Sequence, residues 1–218
     1  MTTADLFDSM ASPLPSIETI GPASCLLRGF ALPCADILLE ALRGIAAAAP
    51  FRRMCTPGGA MMSVSLTNCG TLGWVSDRHG YRYERRDPRT GHAWPALPAA
   101  FSHLARDAAL QAGFEAFAPD ACLINRYLPG TKMSLHQDRD ERDFSAPIVS
   151  VSLGIPAVFQ FGGMARGDKT VRVPVFHGDV VVWGGVDRLR FHGVLPLKAA
   201  RHSVLDEQRI NLTFRKAG

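Results

Sequence analysis

The sequence predicts an α+β protein that is mainly β, a jelly-roll core preceded by helices. From about residue 120 the chain reads ACLINRYL, IVSVSLG, AVFQFGG, VRVPVF, DVVVWGG and RINLTFR. These are short β-branched and aromatic runs, divided by turns such as PGT, GGMARGD and HGD. No helix-length periodic segment separates them, which argues against a parallel sheet with crossover helices. Helical spacing is confined to the first half of the chain.

Taken in order, residues 1–22 read as a loose, Pro-dotted lead-in with neither the basic start nor the apolar centre of a secretory signal. Residues 33–49 carry apolar positions at helical spacing, with Pro33 tolerated in a first turn and Pro50 closing the segment. The Gly-, Thr- and Asn-rich stretch 56–93 contains MMSVSLT, a strand within a hairpin. A second helix is expected at about 96–112, with Gly113 as its C-cap. Residues 23–218 then form one domain, its strand-rich core at about 118–218 and a distinct segment at about 50–93.

With 218 residues, 47% hydrophobic and 20% charged, the chain can bury a single core. No apolar run approaches the length that crosses a bilayer. Cys25, Cys34, Cys55, Cys69 and Cys122 are scattered and contain no C-x-x-C pair. That pattern argues against a disulfide framework or zinc knuckle and suits reduced thiols in the cytoplasm. The net charge is +4, and Arg78, Arg82, Arg85, Arg86 and Arg89 crowd one segment with Tyr81 and Tyr83 between them. Cations for phosphates and aromatic faces for unstacked bases suit single-strand recognition, although a solvated polar loop has the same composition.

The motif LHQDRDE contains His136-x-Asp138. Residues i and i+2 of a strand share a side, so an imidazole and a carboxylate can meet at one ion. RFHGV supplies His192 as a distant third ligand, with His79, His92, His103, His177 and His202 as alternatives on composition alone. Two histidines and one carboxylate suit Fe(II) with positions left open, whereas zinc more usually recruits a further His or Cys.

RINLTFR puts Arg209, Asn211, Thr213 and Arg215 on one face of a strand and Ile210, Leu212 and Phe214 on the other. A half-exposed strand alternates in the same way. A dicarboxylate needs a guanidinium fork, however, and two arginines bracketing an Asn after an H-x-D and a later His would supply one. LINRY adds Asn125 and Tyr127 as further donors at i and i+2.

Together with TPGGAMMSVSLTNCGTLGW, FAPDACLINRYLPGTKMSLHQDRDE, APIVSVSLGIPAVFQFGG, HGDVVVWGG and NLTFR, these residues closely resemble the bacterial AlkB family of DNA/RNA repair dioxygenases from about residue 26 to 217. The resemblance implies a double-stranded β-helix core with a nucleotide-recognition lid at about 50–93. It implies iron at His136, Asp138 and His192, and 2-oxoglutarate at Asn125, Arg126, Tyr127, Arg209, Asn211 and Arg215. It further implies that Trp74 stacks on a flipped base, that Tyr81 contacts the nucleic-acid backbone, and that Asp140 and Arg166 meet the base. Leu66 and Ala60 depart from the family pattern, which has Met and Tyr there, and the change bears on which alkylated base is preferred.

The activity implied is oxidative demethylation of bases such as 1-methyladenine and 3-methylcytosine in DNA, extending to RNA, with succinate, carbon dioxide and formaldehyde released. A monomer with no membrane contact and no obligate protein partner is expected. A dioxygenase acting on a small metabolite or a protein side chain would have little need of the arginine–tyrosine ribbon or of Trp74. A non-catalytic jelly roll would have no reason to keep the whole ligand set.

Overall fold

The computed structural model describes residues 16–218. Two strands come first, β1 (Ile17–Gly21) and β2 (Ser24–Leu27), followed by helix α1 (Ala35–Ala48). Next are β3 (Ser65–Gly70), the hairpin β4 (Gly73–Asp77) and β5 (Gly80–Glu84), and helix α2 (Ala99–Gln111). The remainder is β6 (Ala121–Tyr127), β7 (Met133–His136), β8 (Ile148–Gly154), β9 (Ala157–Phe161), β10 (Val171–Val175), β11 (Val180–Trp183), β12 (His192–Val194) and β13 (Arg209–Arg215).

A seven-stranded sheet in the order β1-β2-β11-β8-β13-β6-β3 stands against a four-stranded sheet in the order β10-β9-β12-β7, and β4–β5 forms a separate ribbon. This is the expected mainly β fold, with one difference of extent. The large sheet recruits β1, β2 and β3 from the first half of the chain, so it is not confined to residues 118–218. Residues 1–15 of the expected lead-in lie outside the described residues, but Ile17–Gly21 is an edge strand pairing with β2. Within the expected lid, β3 is a full member of the large sheet, registered Ser65↔Arg126 to Gly70↔Ala121 on β6. The segment before β3 touches the sheet through a bridge between Arg52 and Leu66, and the β4–β5 ribbon forms a separate sheet.

Both helices cover the outer face of the large sheet. Leu38, Leu42 and Ile45 of α1 and Phe101, Leu104 and Ala108 of α2 pack with Val149, Val151, Leu153, Leu212 and Phe214. Each helix places its apolar residues at the 3.6-residue period, and burying that stripe stabilises the sheet as well as the helix. α1 stops ahead of Pro50, whose ring disfavours helical geometry at Ala49. α2 ends with Gly113 at φ +85°. There Phe114 N donates to Ala109 O and Gly113 N to Leu110 O, the paired bonds of a Schellman cap.

With helices outside and a second sheet inside, the central strands β8 and β13 are buried along their whole length. The polar face of β13 therefore does not meet bulk solvent. It lines the space between the sheets, and the site is built there. No helix among the described residues is long and apolar enough to cross a membrane.

Candidate active site

His136 closes β7 and His192 opens β12, and the two are register partners in the small sheet. Their rings lie 4.4 Å apart, tilted by 53°. Asp138 sits two residues beyond the end of β7 and not on a strand, so the i, i+2 argument gave the right convergence through the wrong local geometry. Asp138 Oδ1 is 3.6 Å from His136 Nε2 and its Oδ2 is 3.7 Å from His192 Nε2. One ligand atom from each of the three residues lies within 4.8 Å of the others.

The imidazoles are already set for metal. Each Nδ1 meets a carbonyl, that of Ser134 at 2.9 Å and that of Arg190 at 3.0 Å. A proton on Nδ1 leaves Nε2 as the free donor. Burial and the neighbouring His136 push His192 down to about 4, so it is neutral near pH 7. Burial pushes the Asp138 carboxyl up, but Arg215 and the two histidines outweigh this and hold it well below the ordinary carboxylate range. Arg215 bonds Asp138 Oδ2 through Nε at 3.0 Å and Nη2 at 2.7 Å.

The rungs of the large sheet carry the co-substrate candidates. Arg209 faces Tyr127 on β6 and Gly154 on β8, and Asn211 faces Asn125 and Ser152. Arg209 is 2% exposed, with its guanidinium 5.0 Å from the centre of the Tyr127 ring. Its Nη2 donates to Ser152 Oγ at 2.9 Å, while Nε and Nη1 have no partner among the described residues. Burial pushes its pKa down, against the pull of Tyr127. A buried guanidinium without a carboxylate is costly, and an incoming carboxylate relieves that cost.

Asn125 is buried, and its Oδ1 is likewise unpartnered among the described residues. Asn211 is more fully engaged: Nδ2 donates to Ser150 Oγ and Val151 O, and Oδ1 accepts from Thr213 Oγ1. Arg126 does not belong with them. Alternation along β6 turns it to the opposite face, where its guanidinium lies 4.9 Å from the Phe51 ring. Its assignment to the co-substrate is therefore corrected.

The other candidate residues line one cavity of about 770 Å³. Trp74 and Tyr81 stand at its mouth with rings 5.6 Å apart and 13° from parallel. Trp74 Nε1 donates to Asp140 Oδ2 at 2.7 Å. Arg166 lies over the Phe191 ring at 5.1 Å. Lys132 and Arg139 add positive charge to the lining. In the ribbon, Arg82 is held by Asp77 and Glu84, which leaves the exposed Arg85 and Arg89 better suited to phosphates. Leu66 lines the cavity as a buried β3 residue, while Ala60 is exposed in the turn that precedes β3.

Comparison with known proteins decides the family. Residues 25–215 match the model of the 2OG-Fe(II) oxygenase superfamily. The alpha-ketoglutarate-dependent dioxygenase AlkB of Salmonella typhimurium is 56% identical, covering 97% of this chain and 98% of its own. The protein of the same description in Escherichia coli is 53% identical, covering 98% and 99%. The chain belongs to this superfamily. Within it, the chain is an AlkB dioxygenase, dependent on Fe(II) and using 2-oxoglutarate and O2. The solved structure of OsALKBH1 superposes with a TM-score of 0.81 at 29% identity, covering 92% of this chain and all of that one.

The residues present fit these groups. The donor set is two imidazoles and one carboxylate, which suits Fe(II) with open coordination positions. The orphaned Arg209 nitrogens suit a carboxylate. Sequence reasoning missed the shell behind the ligands: Ser150 and Ser152, which engage Asn211 and Arg209, and the buried pair Glu141 and Arg188. The serine alternation in IVSVSLG was a usable signal. Nothing local in LHQDRDE distinguishes Glu141 from a surface acid.

Proposed function

We propose that this protein repairs alkylated DNA, and RNA of the same chemistry, by oxidative demethylation of bases such as 1-methyladenine and 3-methylcytosine. The observation that carries the reading is that Trp74 and Tyr81 open onto the same cavity as the His136, Asp138 and His192 cluster. A metabolite oxygenase has no use for an aromatic pair at its mouth, flanked by cations.

In this reading His136, Asp138 and His192 hold Fe(II), which supplies the oxidising chemistry with 2-oxoglutarate and O2 and gives succinate and carbon dioxide. Arg209 receives the distal carboxylate of 2-oxoglutarate with the N–H groups of its unpartnered Nε and Nη1. Asn125 and Tyr127 complete that end of the pocket, and Asn211 stiffens it through Ser150 and Thr213. Arg215 keeps Asp138 ionised and oriented and borders the co-substrate. Trp74 stacks on the extruded base, Asp140 and Arg166 meet its edges, and Tyr81 meets the backbone. Extrusion costs a few kcal/mol, and less for a base whose pairing is already broken by alkylation, which favours lesions. Hydroxylation at the N-methyl carbon then releases formaldehyde. The enzyme acts as a cytoplasmic monomer without a membrane or an obligate protein partner.

The test is turnover with Fe(II), 2-oxoglutarate and ascorbate. Single-stranded oligonucleotides carrying 1-methyladenine or 3-methylcytosine are expected to raise succinate formation well above the level with small methylated amines, with formaldehyde in equal amount. Equal stimulation by free methylamines, with the oligonucleotide base unrepaired, would overturn the substrate class and leave the co-substrate chemistry standing.

A further inference from the structure

Trp74 and Tyr83 are directly opposite one another in the β4–β5 ribbon, so their side chains leave the same face. Consecutive acids of the segment that follows Asp138 grip both of them. Trp74 Nε1 donates to Asp140 Oδ2 at 2.7 Å, and Tyr83 Oη donates to Glu141 Oε1 at 2.8 Å. The two contacts differ in depth: Asp140 is exposed, whereas Glu141 is buried. The outer contact can exchange with an incoming base, and the inner one is sheltered from water.

Behind Glu141 the contacts run on to the metal carboxylate. Its Oε1 is 3.3 Å from Arg215 Nε and its Oε2 is 3.1 Å from Arg188 Nη2. Arg215 is shared with Asp138 Oδ2, and Arg188 Nη1 donates to Asp138 O at 2.8 Å. The Tyr83 hydroxyl therefore competes with Arg215 for one carboxylate oxygen, and Arg215 divides itself between Glu141 and Asp138. The hydroxyl is not what fastens the ribbon. Asn68 bonds both N and O of Trp74, and Trp94 Nε1 donates to Glu84 O.

We propose that Tyr83 is a positioning residue that couples occupancy of the Trp74 ribbon to the metal and co-substrate end of the cavity, through Glu141 and Arg215. This rests on the nucleic-acid reading above. A coupling of this kind is reciprocal: loading one end must tighten binding at the other by the same factor.

The experiment uses the full chain with Mn(II) in place of iron and measures the dissociation constant of a 1-methyladenine oligonucleotide, with and without Mn(II) and 2-oxoglutarate. Loading is expected to tighten oligonucleotide binding about fivefold or more in the unaltered protein. In Tyr83→Phe that ratio should fall to within about twofold of one. Binding of Mn(II) and 2-oxoglutarate alone, followed by tryptophan fluorescence, and the melting temperature should stay close to the unaltered values. Glu141→Gln keeps an acceptor for Tyr83 but removes the charge on Arg215, and should lose the ratio as well. A ratio that survives in Tyr83→Phe overturns the proposal, as does a ratio of one in the unaltered protein or a loss of all binding together with the fold. Failure of the unaltered, loaded protein to bind the oligonucleotide at all would instead remove the nucleic-acid reading, and this proposal with it.

Discussion

Arg209 lines the cavity; its Nη2 rests on Ser152 Oγ, while Nε and Nη1 have no protein partner among the described residues. A guanidinium in that state still has N–H donors in a fixed planar geometry to offer a carboxylate, and a lysine does not reproduce that geometry. Charge-assisted hydrogen bonds are worth about 1.5–3 kcal/mol each. Arg209→Lys should therefore raise the KM for 2-oxoglutarate by about tenfold or more, with a smaller change in kcat at saturation. The measurement is succinate formation against 2-oxoglutarate concentration, and an unchanged KM would mean that another cation takes the distal carboxylate. The alternation of RINLTFR put Arg209 on the correct face. It could not reveal that this face is enclosed, because enclosure depends on a second sheet whose strands lie elsewhere in the chain.

In the proposed reading, the β4–β5 ribbon is the element that separates nucleic-acid repair from other oxygenase chemistry. It is tied at its base by Asn68 and by Trp94, against which a Cβ at Gly73 would come within 2.4 Å. Trp74 is therefore not needed to hold the ribbon in register. Trp74→Ala should weaken binding of a methylated oligonucleotide by the stacking energy of about 1–3 kcal/mol, about 5- to 150-fold. It should spare the slow conversion of 2-oxoglutarate to succinate in the absence of nucleic acid. Loss of both activities, with a lowered melting temperature, would show that Trp74 serves the core. The ribbon was legible only as an aromatic and basic stretch; the hairpin was expected at MMSVSLT, whose strand pairs instead with β6 because the hairpin turn falls later, between Asp77 and Gly80. The strand before it was not separable from a lid, since Ser65–Gly70 looks local in sequence while pairing with Ala121–Arg126.

For the whole molecule, the buried His192 and the half-buried His177 and His202 set the response to acid. His192 falls from the ordinary 6.5 to about 4, and burial also lowers His177 and His202. Between pH 6.5 and 4 the unfolded chain takes up protons that the folded chain refuses, so stability is full above that window and declines as pH falls through it. Asp138 works at a lower range: held below its ordinary 3.8, it contributes fully above that value and is not lost within the window. The metal-free protein, kept so with a chelator, should melt at progressively lower temperature as pH drops from 7 toward 4.5. A melting temperature flat across that range would mean that the histidines open to water before they titrate.

The sequence by itself determined most of the strands after residue 120, the faces of those strands and the chemistry of the candidate ligands. Period-two alternation and residue identity are local properties, readable without knowing what packs across from them. What lies across from a face was decided only by tertiary structure. Packing turned Arg126 onto Phe51, carried Asp138 to His136 and His192 from beyond the end of β7, and made Ile17–Gly21 an edge strand. It also buried Glu141 between Tyr83, Arg188 and Arg215. Each of these depends on groups distant in sequence meeting in a space with little water, where an unpaired charge is costly and its partners are therefore selected by three-dimensional proximity.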